Sequence, residues 1–154
     1  MESRYQRQLQ LPEIGTAGQK QIAQASVLVV GAGGLGCPAL QYLASSGVGC
    51  LGIIDPDTVE ISNLARQILY NESDLQKNKA LCARDKLKQL NPSIDIEAYS
   101  FALDHTNALS IIQKYDMVID GSDNFSTRYL ISDCCLLLHK PMIYGGLFKF
   151  EGQI

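Results

Sequence analysis

SVLVVGAGGLGCPALQYLASS, residues 26–46, joins a run of branched apolar residues to four closely spaced glycines and then to a helix-forming stretch rich in small side chains. Val27, Leu28, Val29 and Val30 are consecutive rather than alternating with polar residues, the pattern of a strand covered on both faces. The turn that follows is GAGGLG. Gly31, Gly33 and Gly36 have the spacing G-x-G-x-x-G, which allows a tight turn, close approach of a ligand to the backbone, and a helix N-terminus whose N–H groups face phosphate. The helix is predicted over 34–47, with Pro38 in its first turn, where a missing N–H does no harm. Working outward, CLGIID (50–55) is a second buried strand, and Asp55 at its end is placed to accept hydrogen bonds from ribose hydroxyls. Strand, glycine turn, helix and acid in this register predict a nucleotide site and leave the nucleotide open.

The remaining segments repeat the alternation. A polar arm leads to a short helix over 17–25. Residues 56–76 are irregular, and a helix over 77–90 places Ala80, Ala83, Leu87 and Leu90 on one face before Asn91-Pro92 ends it. Strands are predicted over 94–100, 116–121 and 141–146, with helices over 104–114 and 124–139 between them. The final LFKFEGQI (147–154) alternates like a strand with one covered face. The fold class expected is α/β, a doubly wound and mainly parallel Rossmann-like sheet with helices on both faces. The expectation is one domain over 1–154, cut off at its C-terminus because the chain stops inside a strand-like pattern. The apolar Phe148, Phe150 and Ile154 then predict poor solubility for the piece alone.

Composition narrows the function classes. With 154 residues, 46% hydrophobic and 19% charged, wholesale disorder is excluded. No apolar run reaches the roughly 18–20 residues of a spanning helix, and the first 15 residues lack the apolar core of a signal peptide. Thirteen basic and sixteen acidic side chains give −3, so nothing argues for nucleic acid or a membrane as partner. A soluble, cytoplasmic protein is expected. Five cysteines without a C-x-x-C pair indicate neither a disulfide framework nor a zinc site, and each reads as a small buried hydrophobe. His105 and His139 stand without a ligand or triad pattern, and no GxSxG, HExxH or P-loop motif is present.

What sits at the strand ends favours a triphosphate. DPDTVEISNLARQ (55–67) brings Asp57, Asn63 and Arg66 beside the glycine turn. A guanidinium clamps phosphate oxygens bidentately, although taken alone Arg66 reads more often as a solvated surface charge and Asp57 as a turn residue. Lys79 opens the next helix as a mobile point charge among Lys77, Arg84, Lys86 and Lys88. DGSDNFSTR (120–128) sets Asp120, Asp123 and Asn124 at the carboxyl edge of the sheet, as helix caps or, for Asp123, as a hard oxygen ligand for Mg²⁺ beside phosphates.

Together RYQRQ (4–8), GAGGLG (31–36), DPDTVEISNLARQ (55–67), Lys79, DGSDNFSTR (120–128) and EGQI (151–154) resemble the ThiF/MoeB/HesA family, relatives of the ubiquitin-activating enzymes. The resemblance implies a homodimer that uses ATP and Mg²⁺ to adenylylate the C-terminal glycine of a ubiquitin-like sulfur-carrier protein of the ThiS/MoaD type. Pyrophosphate is released, and the activated carrier serves thiamine, molybdopterin or thiolated-tRNA biosynthesis. It implies that Gly34 touches the nucleotide and Asp55 holds the ribose. Ser62, Asn63, Leu64, Ala65 and Arg66 line the phosphate site, with Asn63 and Arg66 as side-chain contacts. Lys79 neutralises phosphate charge, Asp123 serves the magnesium–nucleotide beside Asn124, and Arg7 reaches into the partner subunit's site. Arg128 matches a basic position without a defined role. Zinc-binding C-x-x-C pairs and a sulfur-transfer cysteine, present in many members, have no counterpart in this segment. Two other readings stay open: a nicotinamide- or flavin-dependent oxidoreductase, which rests on the glycine turn alone, and a scaffold that kept the fold and lost turnover.

Overall fold

A computed structural model describes residues 4–154. Five parallel strands, β1 (Ser26–Val30), β2 (Cys50–Ile54), β3 (Asp95–Tyr99), β4 (Met117–Asp120) and β5 (Met142–Tyr144), form one sheet in the order β3-β2-β1-β4-β5. Two helices, α1 (Gln6–Leu9) and α2 (Gly15–Gln24), precede the sheet, and α3 (Gly36–Ser46), α4 (Lys79–Leu90), α5 (Ala108–Ile112) and α6 (Phe125–Leu137) lie between its strands. This is the doubly wound α/β architecture expected from the sequence.

The two-residue period of the strands sorts the core into two layers. Val27, Val29, Leu51 and Ile53 pack with Cys37, Leu40, Ala80, Ala83 and Leu87 of α3 and α4 on one face. Leu28, Val30, Ile54 and Val118 pack with Ala108, Ile112, Ile131 and Cys135 of α5 and α6 on the other. Because both faces of β1 are covered, its sequence cannot alternate. Each fully buried Leu or Ile stabilises by roughly 1.5–3 kcal/mol relative to exposure. The tip of Tyr115 lies against Gly52, where a Cβ would come 2.4 Å from its Cζ and hydroxyl oxygen, so β2 carries a glycine in mid-strand.

The order of strands reverses between β1, which is followed outward by β2 and β3, and β4, which is followed by β5. At such a switch point the loops leaving the two strands diverge and open a crevice at their carboxyl ends. The loops after β1 and β4 meet there: the Gly121 N–H donates to the Val30 carbonyl at 2.9 Å, and a Cβ on Gly31 (φ +89°) would lie 2.8 Å from the Gly121 carbonyl oxygen.

At the opposite edge, β1 and β4 are tied by Asp116, whose Oδ2 accepts from the Ser26 N–H at 2.8 Å and from its hydroxyl at 2.7 Å. The Ser26 hydroxyl and N–H hold the Asp116 carboxyl below its ordinary 3.8. A depressed carboxylate contributes stability above the unfolded value and loses it as pH falls through the folded one. Asp116→Asn is therefore expected to unfold with a shallower acid dependence below about pH 4, measured as the thermal midpoint against pH.

Three details differ from the sequence reading. Leu90, expected on the buried face of α4, is 41% exposed, because it is the last helical residue and the chain turns away at Asn91. The helix expected over 104–114 is regular only at Ala108–Ile112: the Asp104 side chain accepts from the N–H groups of Thr106 and Asn107 and makes a turn of the first residues instead. Residues 147–154 do not form a one-sided strand. After Gly145, β6 (Gly146–Phe148) and β7 (Glu151–Gln153) make an antiparallel hairpin turning at Lys149 (φ +55°), with Leu147, Phe148, Phe150 and Ile154 all exposed.

Candidate active site

The crevice at the switch point is a cleft of about 910 Å³. It is walled by the glycine turn, by residues 54–67, by Lys79 and by residues 121–128. The first wall is the glycine turn. Two of its glycines are required by the protein itself: besides Gly31, a Cβ on Gly36 would sit 1.9 Å from the Gly31 carbonyl oxygen. Gly33 and Gly34 are different. A Cβ on Gly33 would meet only Gln67 Nε2 at 3.7 Å, and one on Gly34 only the Arg66 side chain at 3.8 Å. Both line the cleft, and α3 above them has no side-chain cap at its N-terminus, so its positive end faces the cavity.

The second wall is built on Asp55, which is 5% exposed. Its Oδ2 accepts from the Ala32 N–H at 2.7 Å and its Oδ1 from the Asp57 N–H at 2.9 Å. Burial raises its carboxyl above the usual value against these two donors and Lys79. Each oxygen keeps a second lone pair for a hydroxyl donor. Farther along, a short 3₁₀ turn, Ile61–Asn63, buries Asn63, whose Oδ1 accepts from the Glu60 N–H. Arg66 lies exposed across Gly34 and donates from Nη1 to the Ser62 carbonyl at 3.0 Å.

Lys79 separates from its neighbours on α4. Arg84 pairs with Asp85, Lys86 with Asp74 and Lys88 with Asp95, whereas Lys79 is 6% exposed and reaches into the cleft to Asp57 at 3.0 Å. Its charge sits at the positive end of its own helix, an unfavourable place that the Asp57 carboxylate offsets. The start of α4 is fixed by Asn78, which caps the Leu81 N–H and donates to the carbonyls of Asp55 and Asp57.

On the third wall, Asn124 caps α6 by accepting from the Thr127 N–H, the capping role weighed from the sequence. Asp123 beside it is exposed to the cleft and carries no ion pair among the described residues. Arg128 is held between the Tyr144 hydroxyl (2.8 Å) and the Ser122 carbonyl (2.9 Å). It thereby fixes the loop that carries Asp123.

The structure thus brings Gly34, Asp55, Asn63, Arg66, Lys79, Asp123 and Asn124 to one cavity. Ser62, Leu64 and Ala65 do not line it: Leu64 packs on the core, and Ser62 serves through its carbonyl. Arg7 is exposed on α1, at the opposite edge of the sheet, where Tyr5 anchors the arm against Gly47 and accepts from Asn91. Gln67, Thr127 and Leu103 also line the cleft and were not singled out by sequence. Gln67 stood within the 55–67 motif, but its burial (3% exposed) follows from the loop's path and has no local signal. The thiols of Cys37, Cys50, Cys82, Cys134 and Cys135 are all free, and burial pushes every one up, Cys37 to about 11, so none is activated as a thiolate.

The model of the ThiF family matches residues 5–154. The chain is 51% identical over 151 residues to the sulfur carrier protein adenylyltransferase of Thermus thermophilus, covering 98% of this chain and 56% of that protein. It is 51% identical over 152 residues to a probable molybdopterin-synthase adenylyltransferase of Porphyra purpurea, covering 99% of this chain and 40% of that protein. Among solved structures, E. coli tRNA N6-threonylcarbamoyladenosine dehydratase, TcdA, in complex with ATP, superposes with a TM-score of 0.88 at 25% identity, over 96% of this chain and 62% of that one. The chain spans about half the length, or less, of these curated relatives.

Proposed function

The chain belongs to the ThiF family, and from that premise we propose that it is the nucleotide-binding domain of an adenylyltransferase. Its substrates are ATP and the C-terminal glycine of a ubiquitin-like sulfur-carrier protein of the ThiS/MoaD type. The observation that carries this reading is the meeting of three independent segments at one cavity: two glycines with no protein contact to explain them, a buried lysine, and an exposed carboxylate. The Thermus and Porphyra relatives, named for carrier and molybdopterin-synthase adenylylation, support the same chemistry.

The carrier carboxylate attacks the α-phosphorus of ATP in line, its oxygen forming the new P–O bond as the bond to pyrophosphate breaks. Negative charge grows on the phosphoryl oxygens and on the leaving group. Arg66, Lys79 and the N-terminus of α3 are positioned to stabilise it without rearrangement. Asp55 accepts the ribose hydroxyls, and Asn63 and Asn124 border the phosphates. Asp123 fits a magnesium–triphosphate: a single unpaired carboxylate beside phosphate oxygens is the hard donor set that Mg²⁺ takes, and no cluster of three metal-ligating side chains is needed or found among the described residues. When bound, Mg²⁺ neutralises charge on the phosphates. Ser62 contributes only through its carbonyl, which holds the Arg66 guanidinium, and Leu64 by packing on the core beneath it. Arg7 acts in the partner subunit of a homodimer, since it lies away from the cleft of its own chain. Residues 1–154 belong to one such domain, acting in the cytoplasm on a carrier for thiamine, molybdopterin or thiolated-tRNA synthesis. No described helix is long and apolar enough to cross a membrane.

Titration of Mg·ATP against NAD, read by thermal shift, tests the nucleotide half. A ligand at about 100 times its Kd stabilises by roughly 2.7 kcal/mol. The expected result is a shift with Mg·ATP that Asp123→Ala reduces. A shift with NAD alone, indifferent to Asp123, makes this an oxidoreductase domain.

A further inference from the structure

Tyr70 is 6% exposed, does not line the cleft, and belongs to no motif discussed above. Its hydroxyl lies 2.9 Å from the Ala32 carbonyl oxygen and 3.2 Å from that of Lys79. One oxygen atom therefore joins the glycine turn to the first turn of α4, the two segments that bring Gly33, Gly34 and Lys79 to the cleft. Burial pushes the hydroxyl well above its ordinary value, so it stays a donor at every physiological pH. The Cys37 thiol also points at the Ala32 carbonyl, at 3.2 Å.

The Ala32 carbonyl and the Gly33 N–H belong to one peptide plane. In a trans peptide they point in opposite directions, and the described residues contain no cis bond. Whatever holds that carbonyl towards the core consequently aims the Gly33 N–H away from it. The preceding peptide is held as well, by the Ala32 N–H to Asp55 Oδ2 at 2.7 Å. Gly33 has no Cβ, so an unheld peptide here is less restricted on that side than one between two larger residues. Asp55 secures one side of Ala32 and Tyr70 the other.

Resting on the nucleotide reading above, we infer that Tyr70 is a positioning residue for the polyphosphate of the substrate: its hydroxyl orients the Gly33 N–H and keeps it in register with the start of the Lys79 helix. The group recognised is the phosphate chain alone. The adenosine moiety gains nothing from this bond.

Tyr70→Phe removes the oxygen and keeps the ring in the core. In the protein as encoded, ATP and adenosine are titrated against wild type and variant. ATP affinity is expected to fall by roughly 3- to 10-fold, the worth of one buried hydrogen bond, with adenosine affinity unchanged. In turnover the KM for ATP rises by the same factor while kcat stays within about twofold, the signature of a contact kept from ground state to transition state. An unchanged ATP affinity, or a loss shared equally by adenosine, overturns the assignment. Should the Phe variant not fold, amide hydrogen exchange at Gly33 in the unaltered protein serves instead: ATP is expected to protect the Gly33 N–H and adenosine to leave it exchanging, and equal protection by both overturns the assignment. A wild-type protein that ignores ATP fails before any substitution is made, and that result refutes the nucleotide reading itself.

Discussion

Lys79→Ala is expected to slow acyl-adenylate formation by two to three orders of magnitude while leaving the fold intact. The ammonium is buried at the cleft, already desolvated and aimed by the start of α4, so it requires little reorganisation when charge builds on the phosphates. Removing one such preorganised stabiliser costs about 2–4 kcal/mol in the barrier. The fold is spared because the partner left behind, Asp57, has a side chain 66% exposed and is solvated once the lysine is gone. Single-turnover formation of the adenylate measures the first effect and thermal unfolding the second. A variant with wild-type rates would place the charge stabilisation on Arg66 and the helix terminus alone.

Gly36→Ala is the counterpart, a large effect on stability. An alanine Cβ would lie 1.9 Å from the Gly31 carbonyl oxygen and 2.9 Å from its carbon, both backbone atoms of the same tight turn. Nothing flexible gives way, so the turn has to open. Gly31 is itself pressed against Gly121, and the strain passes to the loop after β4. A cost of about 3–5 kcal/mol is expected, seen in denaturant as a lower midpoint. Gly34→Ala makes the contrast: its Cβ meets only the Arg66 side chain at ordinary distance, so the fold holds while nucleotide binding weakens. Should both variants lose stability equally, Gly34 is needed by the protein and its place in the site loses its main support.

The difference between these glycines explains how much of the molecule was legible in its sequence. Strong local patterns carried the fold: continuous apolar strands at 26–30 and 50–54, glycine spacing at 31–36, and the cap Asn124 at the start of α6. Where side-chain hydrogen bonds compete with helix, as Asp104 does before α5, or where an exposed hairpin follows a short strand, as after Tyr144, periodicity misled. In the candidate site, residues in dense polar motifs were recognisable as a set. Their division of labour was not. The charge pattern of α4 offers four basic residues, Lys79, Arg84, Lys86 and Lys88, and only the packing of its first turn shows which one is buried. Tyr70 and Gln67 lay beyond sequence reasoning because each acts through atoms 30 or more residues away: the Ala32 carbonyl for Tyr70, and the face of Gly33 for Gln67.

The central claim is that this cleft transfers adenylate to a protein carboxylate, and isotope exchange between pyrophosphate and ATP reads that step alone. Wild-type protein is incubated with Mg·ATP, labelled pyrophosphate and a sulfur carrier ending in glycine. Exchange that requires the carrier, disappears when its terminal glycine is removed, and falls at least 100-fold in Lys79→Ala is the predicted result. Exchange that proceeds at the same rate without the carrier, or its absence with every carrier tried while Mg·ATP demonstrably binds, would contradict the account.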